Sequence, residues 1–211
     1  MNHAYLKLCL VTNQLTHSFD SYEKLIVSAL MGGVTAIQLR DKHRSIDELS
    51  IIAFRLKKLT KKFNIPLIIN DHIHLAKKVN AEGVHLGQTD FSHDEARALL
   101  GPHKIIGLSL EKLADIKFSN QSKSINYVAA SAIFPSKNKP DCKTLWGISG
   151  LRMISQQSLH PVIAIGGIDH KNIRAIMRAG AKGVAVIGAL HDALNPKAAA
   201  LALLSKIDKA P

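Results

Sequence analysis

Cysteine, aromatic residues and acidic residues are all scarce in this 211-residue chain. Two cysteines, Cys9 and Cys142, cannot build the multi-bridge framework of a small secreted domain, and neither belongs to a spaced metal-binding set. Aromatics make up 5% of the chain, too few for the stacking platforms that hold single-stranded nucleic acid. No apolar run reaches the roughly 18–20 residues that cross a bilayer. The start, Met1-Asn2-His3-Ala4-Tyr5-Leu6-Lys7, lacks a basic-then-apolar signal pattern and reads as the approach to a first strand. A cytoplasmic protein without membrane attachment is expected. With 16 acidic against 28 basic side chains the net charge is +12, an excess that suits nucleic acid, an anionic surface or phosphorylated small molecules. The basic residues are dispersed. Pairs such as Lys57-Lys58 and Lys61-Lys62 read as a solvated helix face, and no continuous basic stripe runs along the chain. Most of the charge reads as a generally basic surface with a few residues free for a sharper role, and nucleic acid is not an expected partner.

What is present is a rhythm. Hydrophobic residues make up 46% of the chain, enough for one globular domain with a sizeable core. Short β-rich apolar runs at 6–11, 35–39, 66–69, 83–86, 104–108, 125–130, 161–165 and 184–187 alternate with helical patterns at 21–31, 46–63, 74–79, 92–100, 111–119, 149–157, 171–179 and 196–207. The strands are nearly continuous apolar runs, as expected where both faces are covered. Eight such units predict an α/β fold, a single (β/α)₈ TIM barrel spanning 1–211. An open doubly wound sheet would be the alternative, but no GxGxxG follows the first strand. No linker or low-complexity stretch divides the chain. One connection, 131–147, is long, polar and basic; in a compact domain that length marks a functional lid or a disordered segment, and an active-site loop is expected here.

Barrel enzymes carry their chemistry at the carboxyl ends of the strands. After the second strand stand Gln38, Arg40 and Lys42, alternate residues that share a face in extended chain. Two cations and an amide suit a diphosphate; a surface ion-pair patch with Asp41 and Asp47 is equally allowed by the pattern. Asn70-Asp71 follows the third strand and Asp90 the fourth. The two aspartates are either helix N-caps or a carboxylate pair for Mg²⁺, which takes one or two carboxylates plus water and phosphate oxygens. His85 lies inside the fourth strand, where a packed histidine is the ordinary case. His72 and His74 are two apart at a helix start and do not face each other, so no transition-metal site is expected. Ser109 closes the fifth strand as either a donor or a cap. Gly166-Gly167 and Gly188 follow strands seven and eight, where barrels commonly cradle phosphate on backbone N–H groups.

Taken in order, Gln38-x-Arg40-x-Lys42, Asn70-Asp71, Gly83-Val84-His85-Leu86-Gly87-Gln88-x-Asp90, Gly107-x-Ser109, Phe134-Pro135-Ser136-x-Asn138-Lys139-x-Asp141, Gly166-Gly167-Ile168 and Ile187-Gly188 resemble the thiamin phosphate synthase family from the first strand to the eighth. The resemblance implies a transferase of thiamine biosynthesis that joins a pyrimidine diphosphate to a thiazole phosphate, with Mg²⁺, through a short-lived pyrimidine cation, and releases pyrophosphate. It implies that Gln38, Arg40 and Lys42 hold the diphosphate with Asn70, Ser109 and Lys139. Arg40, Lys42, Ser109 and Lys139 would be the catalytic set, and Asp71 and Asp90 would bind the metal. His85 would lie near the pyrimidine, Ser136 and Asn138 would meet the thiazole phosphate, and Gly167, Ile187 and Gly188 would cradle it. The chain departs from the family pattern in three places. Ser131-Ala132 replaces Gly-Pro, Ser136 and Asn138 stand where Thr is usual, and Gly188-Ala189 replaces Ser-Ala. A thiazole tautomerase of the sister branch, which tends to lose the diphosphate and metal set, and a non-catalytic thiamin-phosphate-binding module are the competing expectations. A homo-oligomer is allowed.

Overall fold

The structure, a computed structural model, describes residues 3–13, 19–138 and 142–210. Eight parallel strands close into a barrel in sequence order: β1 (Leu8–Val11), β2 (Ala36–Leu39), β3 (Leu67–Asn70), β4 (Gly83–Leu86), β5 (Ile105–Leu110), β6 (Tyr127–Ser131), β7 (Val162–Ile165) and β8 (Gly183–Val186). The helices between them are α1 (Phe19–Met31), α2 (Ile46–Lys62), α3 (Ile73–Lys78), α4 (His93–Leu100), α5 (Leu113–Asn120), α6 (Gly147–Gln157) and α7 (Ile173–Arg178), with α8 (Gly188–His191) and α9 (Pro196–Asp208) after the last strand. Every strand and helix expected from the sequence is present with both ends within two residues of the expected place.

Two local features differ from the sequence reading. The first strand begins at Leu8, because Ala4–Leu6 form a short 3₁₀ turn. The Thr35 hydroxyl holds that turn, accepting from the Leu8 N–H at 2.9 Å and donating to the Tyr5 carbonyl at 3.0 Å. The turn lies across the amino-terminal end of the barrel, where Leu6 is buried. The second is α8, a single helical turn in the β8–α9 connection that no apolar periodicity announces.

Alternation along the strands divides the core in two. Leu8, Leu10, Ile37, Ile69, Val84, Ile106, Val128 and Val184 belong to the large cluster shared with the helices. Cys9, Val11, Ala36, Tyr127, Ala129, Ile163 and Ala185 form a second cluster that fills the barrel. Burial pushes the Cys9 thiol up to about 12, so it packs as an inert apolar group. Strand register then carries the inward face around the ring, with Gln38 beside Val11, His85 beside Asn70, Gly107 beside His85 and Ala129 beside Ser109. The inward residues are small or apolar low in the barrel and polar at its carboxyl end. Helix ends follow ordinary capping chemistry: Ser45 with Glu48 and Ser92 with Glu95 make reciprocal capping boxes on α2 and α4.

Candidate active site

A cavity of about 640 Å³ opens at the carboxyl end of the barrel, a size suited to small organic ligands. Around it lie Gln38, Arg40, Lys42, Asn70, Asp71, His85, Asp90 and Ser109 on one side, and Ser136, Asn138, Gly167, Ile187 and Gly188 on the other. Every expected site residue among the described ones is therefore at one cavity; Lys139, like Asp141, lies outside the described residues.

Gln38, Arg40 and Lys42 share the inward face of β2 and its extension. The buried Gln38 amide donates to Asn70 Oδ1 at 2.7 Å, tying the ends of β2 and β3 together. The Thr12 hydroxyl accepts from the Arg40 N–H at 2.8 Å and donates to its carbonyl at 2.9 Å, which fixes the backbone from which the guanidinium departs. The ion-pair alternative for this cluster does not hold. Asp41, on the opposite face, pairs with Arg44 at 3.2 Å and accepts the His43 N–H at 2.9 Å. Among the described residues no side-chain ion pair engages Arg40 or Lys42, and both cations act instead on Asp71.

The carboxylates are not helix caps. His72 and Ser92 occupy the N-cap positions of α3 and α4. Asp71 has a left-handed φ of 64°, with its N–H bonded to the His85 carbonyl at 2.9 Å. Strict alternation from Asn70 would turn Asp71 away from the barrel; the left-handed turn, which Asp and Asn tolerate best among non-glycine residues, brings it to the mouth. Asp90 Oδ2 accepts the Gly87 N–H at 2.6 Å, closing a tight loop after β4. The two carboxyl groups come within hydrogen-bonding reach of each other. Burial raises the Asp71 carboxyl to about 7, the Asp90 carboxyl adds to the rise, and Lys42 and Arg40 oppose it. Two converging carboxyls call for a shared proton or a cation.

His85 is 7% exposed and packed as a strand histidine ordinarily is, yet one edge lines the cavity. Its Nδ1 meets the Tyr127 hydroxyl and its Nε2 the Ser109 hydroxyl, both at 2.9 Å. Gly107 makes this possible, since a Cβ there would lie 2.2 Å from the Tyr127 ring. Ser109 is thus a strand residue at the site. The cap role it was also open to falls to Asp115, which accepts the Glu111 and Lys112 N–H groups ahead of α5.

On the far side, Gly166 and Gly167 turn the chain after β7 with φ of 99° and 61°. Asn172 donates to the Gly167 carbonyl at 2.7 Å and holds the turn. A Cβ on Gly167 would meet the Pro135 carbonyl at 2.6 Å, so the 131–147 connection packs directly against the turn. That connection is anchored at both stems. Ile133 and Phe134 N–H groups bond to Ile165 and Gly166 carbonyls, while Trp146 and Gly147 N–H groups bond to Ala132 and Ile133 carbonyls. Gly188 opens α8, whose leading N–H groups have no partner within the helix.

The cavity also includes Gln88, Glu111 and Lys143, to which the motifs assign no role. Lys143 and Glu111 pair at 2.7 Å across its rim. Glu111 was open to discovery by alternation from Ser109, and Thr12 and Asn13 by reading the end of the first strand as the second was read. Lys143 carries no such signal.

The model of the thiamine monophosphate synthase family matches residues 8–190. The thiamine-phosphate synthase of Chlamydia abortus is 40% identical over 209 residues, covering 99% of this chain and 98% of that protein. That of Vibrio parahaemolyticus is 40% identical over 202 residues, covering 96% and 98%. Among solved structures, thiamine phosphate pyrophosphorylase from Pyrococcus furiosus superposes with a TM-score of 0.85 at 31% identity, covering 98% of each chain. A 3-hexulose-6-phosphate synthase at 19% identity and a TM-score of 0.72 shares the fold.

Proposed function

The chain belongs to the thiamine monophosphate synthase family, and on that premise we propose that it is a thiamin phosphate synthase, a transferase of thiamine biosynthesis. Its substrates are 4-amino-2-methyl-5-(diphosphomethyl)pyrimidine and 4-methyl-5-(2-phosphoethyl)thiazole. The observation that supports the reading is one cavity that holds two cations beside a pair of carboxyls on one side, and the turns after β7 and β8 on the other.

In this reading Arg40 and Lys42, with Gln38, Asn70, Ser109 and Lys139, hold the diphosphate. The bond from the pyrimidine methylene to the diphosphate oxygen breaks, and its electron pair leaves with pyrophosphate. The aminopyrimidine ring spreads the positive charge left on the methylene. The thiazole nitrogen then gives its lone pair to that carbon, and the new C–N bond places the positive charge on the thiazolium. Arg40 and Lys42 act by stabilising charge on the leaving group. The Tyr127–His85–Ser109 chain orients the groups at the pyrimidine. Ser136, Asn138, Gly167, Ile187 and Gly188 hold the second phosphate, and the anchored 131–147 segment excludes water that would quench the cation. Asp71 and Asp90 fit Mg²⁺, because two neighbouring carboxyls at the cavity mouth give the hard oxygen ligands that this ion takes together with phosphate oxygens. No cluster of three metal-ligating side chains occurs among the described residues, and Mg²⁺ needs none when a diphosphate supplies oxygens. Bound there, Mg²⁺ would neutralise charge on the diphosphate.

The fold acts in this reading as one domain over 1–211. No helix among the described residues is long and apolar enough to cross a membrane, and a cytoplasmic location fits a biosynthetic enzyme. The test is pyrophosphate release with both substrates and Mg²⁺. Release that needs all three is expected; tautomerisation of the thiazole without pyrophosphate release would sink the proposal.

A further inference from the structure

A chain of hydrogen bonds runs from the turn at Ile187 to the β6–α6 connection. His191, at the end of α8, lies 2.9 Å through Nδ1 from the Ile187 carbonyl. Its Nε2 is 2.5 Å from the Tyr22 hydroxyl, with the two rings stacked. Burial lowers the His191 pKa and raises that of Tyr22, so both are neutral near pH 7. The proton positions then follow. The imidazole Nδ1–H donates to Ile187, the Tyr22 hydroxyl donates to Nε2, and its oxygen accepts the Asn13 N–H at 3.1 Å. Asn13 is therefore fixed by its main chain to the element that carries the turn. Its side chain crosses to the β6–α6 connection, where Nδ2 donates to Asn138 Oδ1 at 3.0 Å. The Asn138 N–H is held in turn by the Ser136 hydroxyl at 3.3 Å.

In this arrangement the nitrogen end of the Asn138 amide faces the turn. Its oxygen is occupied by Asn13, and its Nδ2 lies 3.5 Å from where a Cβ on residue 188 would stand. Residue 188 is glycine and brings no side-chain donor. Asp192 brings a carboxylate oxygen to 2.9 Å from the same point. An anion entering this turn meets an acidic neighbour and needs a donor beside it. We propose that Asn13 is a positioning residue for the phosphate of the second substrate: it holds the Asn138 oxygen so that the Asn138 Nδ2 donates into the Gly188 turn. The proposal rests on the reading that the turns after β7 and β8 take the thiazole phosphate.

Substituting Asn13 tests it because Asp at this position reverses the requirement. A carboxylate can only accept, so Asn13→Asp would draw the Asn138 Nδ2 to itself and turn the amide oxygen toward the phosphate. Asn13→Ala only releases the amide. The KM of each substrate is measured with Mg²⁺ for wild type, N13A, N13D, N138A and N13D/N138A. At about 1.4 kcal/mol per tenfold, N13A should raise the KM of the thiazole phosphate about threefold and N13D about tenfold or more, with that of the pyrimidine diphosphate unchanged. In the N138A background the N13D effect should largely vanish. Equal changes in both KM values or full additivity with N138A would each overturn the positioning role. Gly167→Val separates this role from the reading beneath it. If G167V weakens thiazole phosphate and N13D does not, Asn13 alone is misassigned. If neither affects thiazole phosphate, the phosphate site lies elsewhere and both fall.

Discussion

At the end of β3 a half-buried carboxyl sits in a left-handed turn beside a second carboxyl, and its burial, with that neighbour adding to it, sets how this group titrates in the metal-free protein. Asp71 is held at about 7, far above its ordinary 3.8. Between those values the folded chain keeps a proton that the unfolded chain releases. The stability this group contributes is thus fully present below about pH 4 and is lost as pH rises through 7. At pH 8 in EDTA, Asp71→Asn should therefore raise Tm by ~2–4 °C, the shift that about 1 kcal/mol gives in a chain of this length. Asn also accepts the left-handed φ. Mg²⁺ with pyrophosphate should stabilise the wild type at pH 8 and D71N much less. Turnover should fall by roughly 100-fold or more in D71N and in D90N, the upper end for groups that only support a ligand. Scanning fluorimetry and the pyrophosphate assay read these separately; a D71N protein that melts lower in EDTA would refute the account from burial and the neighbouring carboxyl. A second residue-scale test divides the two anion sites by calorimetric titration. Arg40→Ala should weaken the pyrimidine diphosphate by about 30-fold or more, as when one partner of a desolvated charged hydrogen bond is removed. It should spare thiazole phosphate. Gly167→Val, which drives a side chain into Pro135, should do the reverse.

At the scale of elements, the site depends on how strand ends are held. The 131–147 connection reads in the sequence as one long loop, yet its stems are hydrogen-bonded to β7, to the turn after it and to each other. In hydrogen exchange, amides of Ile133, Phe134, Trp146 and Gly147 should be protected without ligand. Slowing on adding pyrophosphate and Mg²⁺ should be confined to residues 136–138 and 142–143. Slowing across the stems as well would mean that the whole connection closes as a unit. Between β5 and β6, the inward glycine at 107 leaves room for Tyr127, whose hydroxyl holds His85. Gly107→Ala should cost about 1–3 kcal/mol, the usual price of overpacking a filled core. It should also lower turnover by displacing His85, with chemical denaturation and kinetics giving the two numbers.

At the scale of the molecule, a net charge of +12 on dispersed side chains acts as a field. It should draw anionic substrates in and be weakened by salt. Because the Debye length falls from ~30 Å to ~8 Å between 0.01 and 0.15 M salt, kcat/KM should fall severalfold across that range while kcat holds. A kcat that falls in parallel would place the salt effect on the chemistry.

The fold was legible in the sequence because a parallel barrel buries both faces of every strand, so each strand is an apolar run that periodicity can see. Gln38, Arg40 and Lys42 were legible as a cluster because alternation in an extended chain is local geometry, and Gly166-Gly167 because their place after strand seven is set by counting. The sequence by itself thus determined the eight units, which end of the barrel carries the chemistry, and which residue types stand there. The tertiary structure alone decided that Asp71 and Asp90 face each other, since a left-handed φ reverses the alternation rule and the two residues meet only across neighbouring strands. It alone showed that Asp41 is taken by Arg44, leaving Arg40 and Lys42 toward the carboxyls. It alone brought Asn13 to Asn138, 125 positions away. The Asn13–Asn138 contact exists only because barrel closure gathers the ends of distant strands at one mouth, and no local pattern records which side chains then meet there.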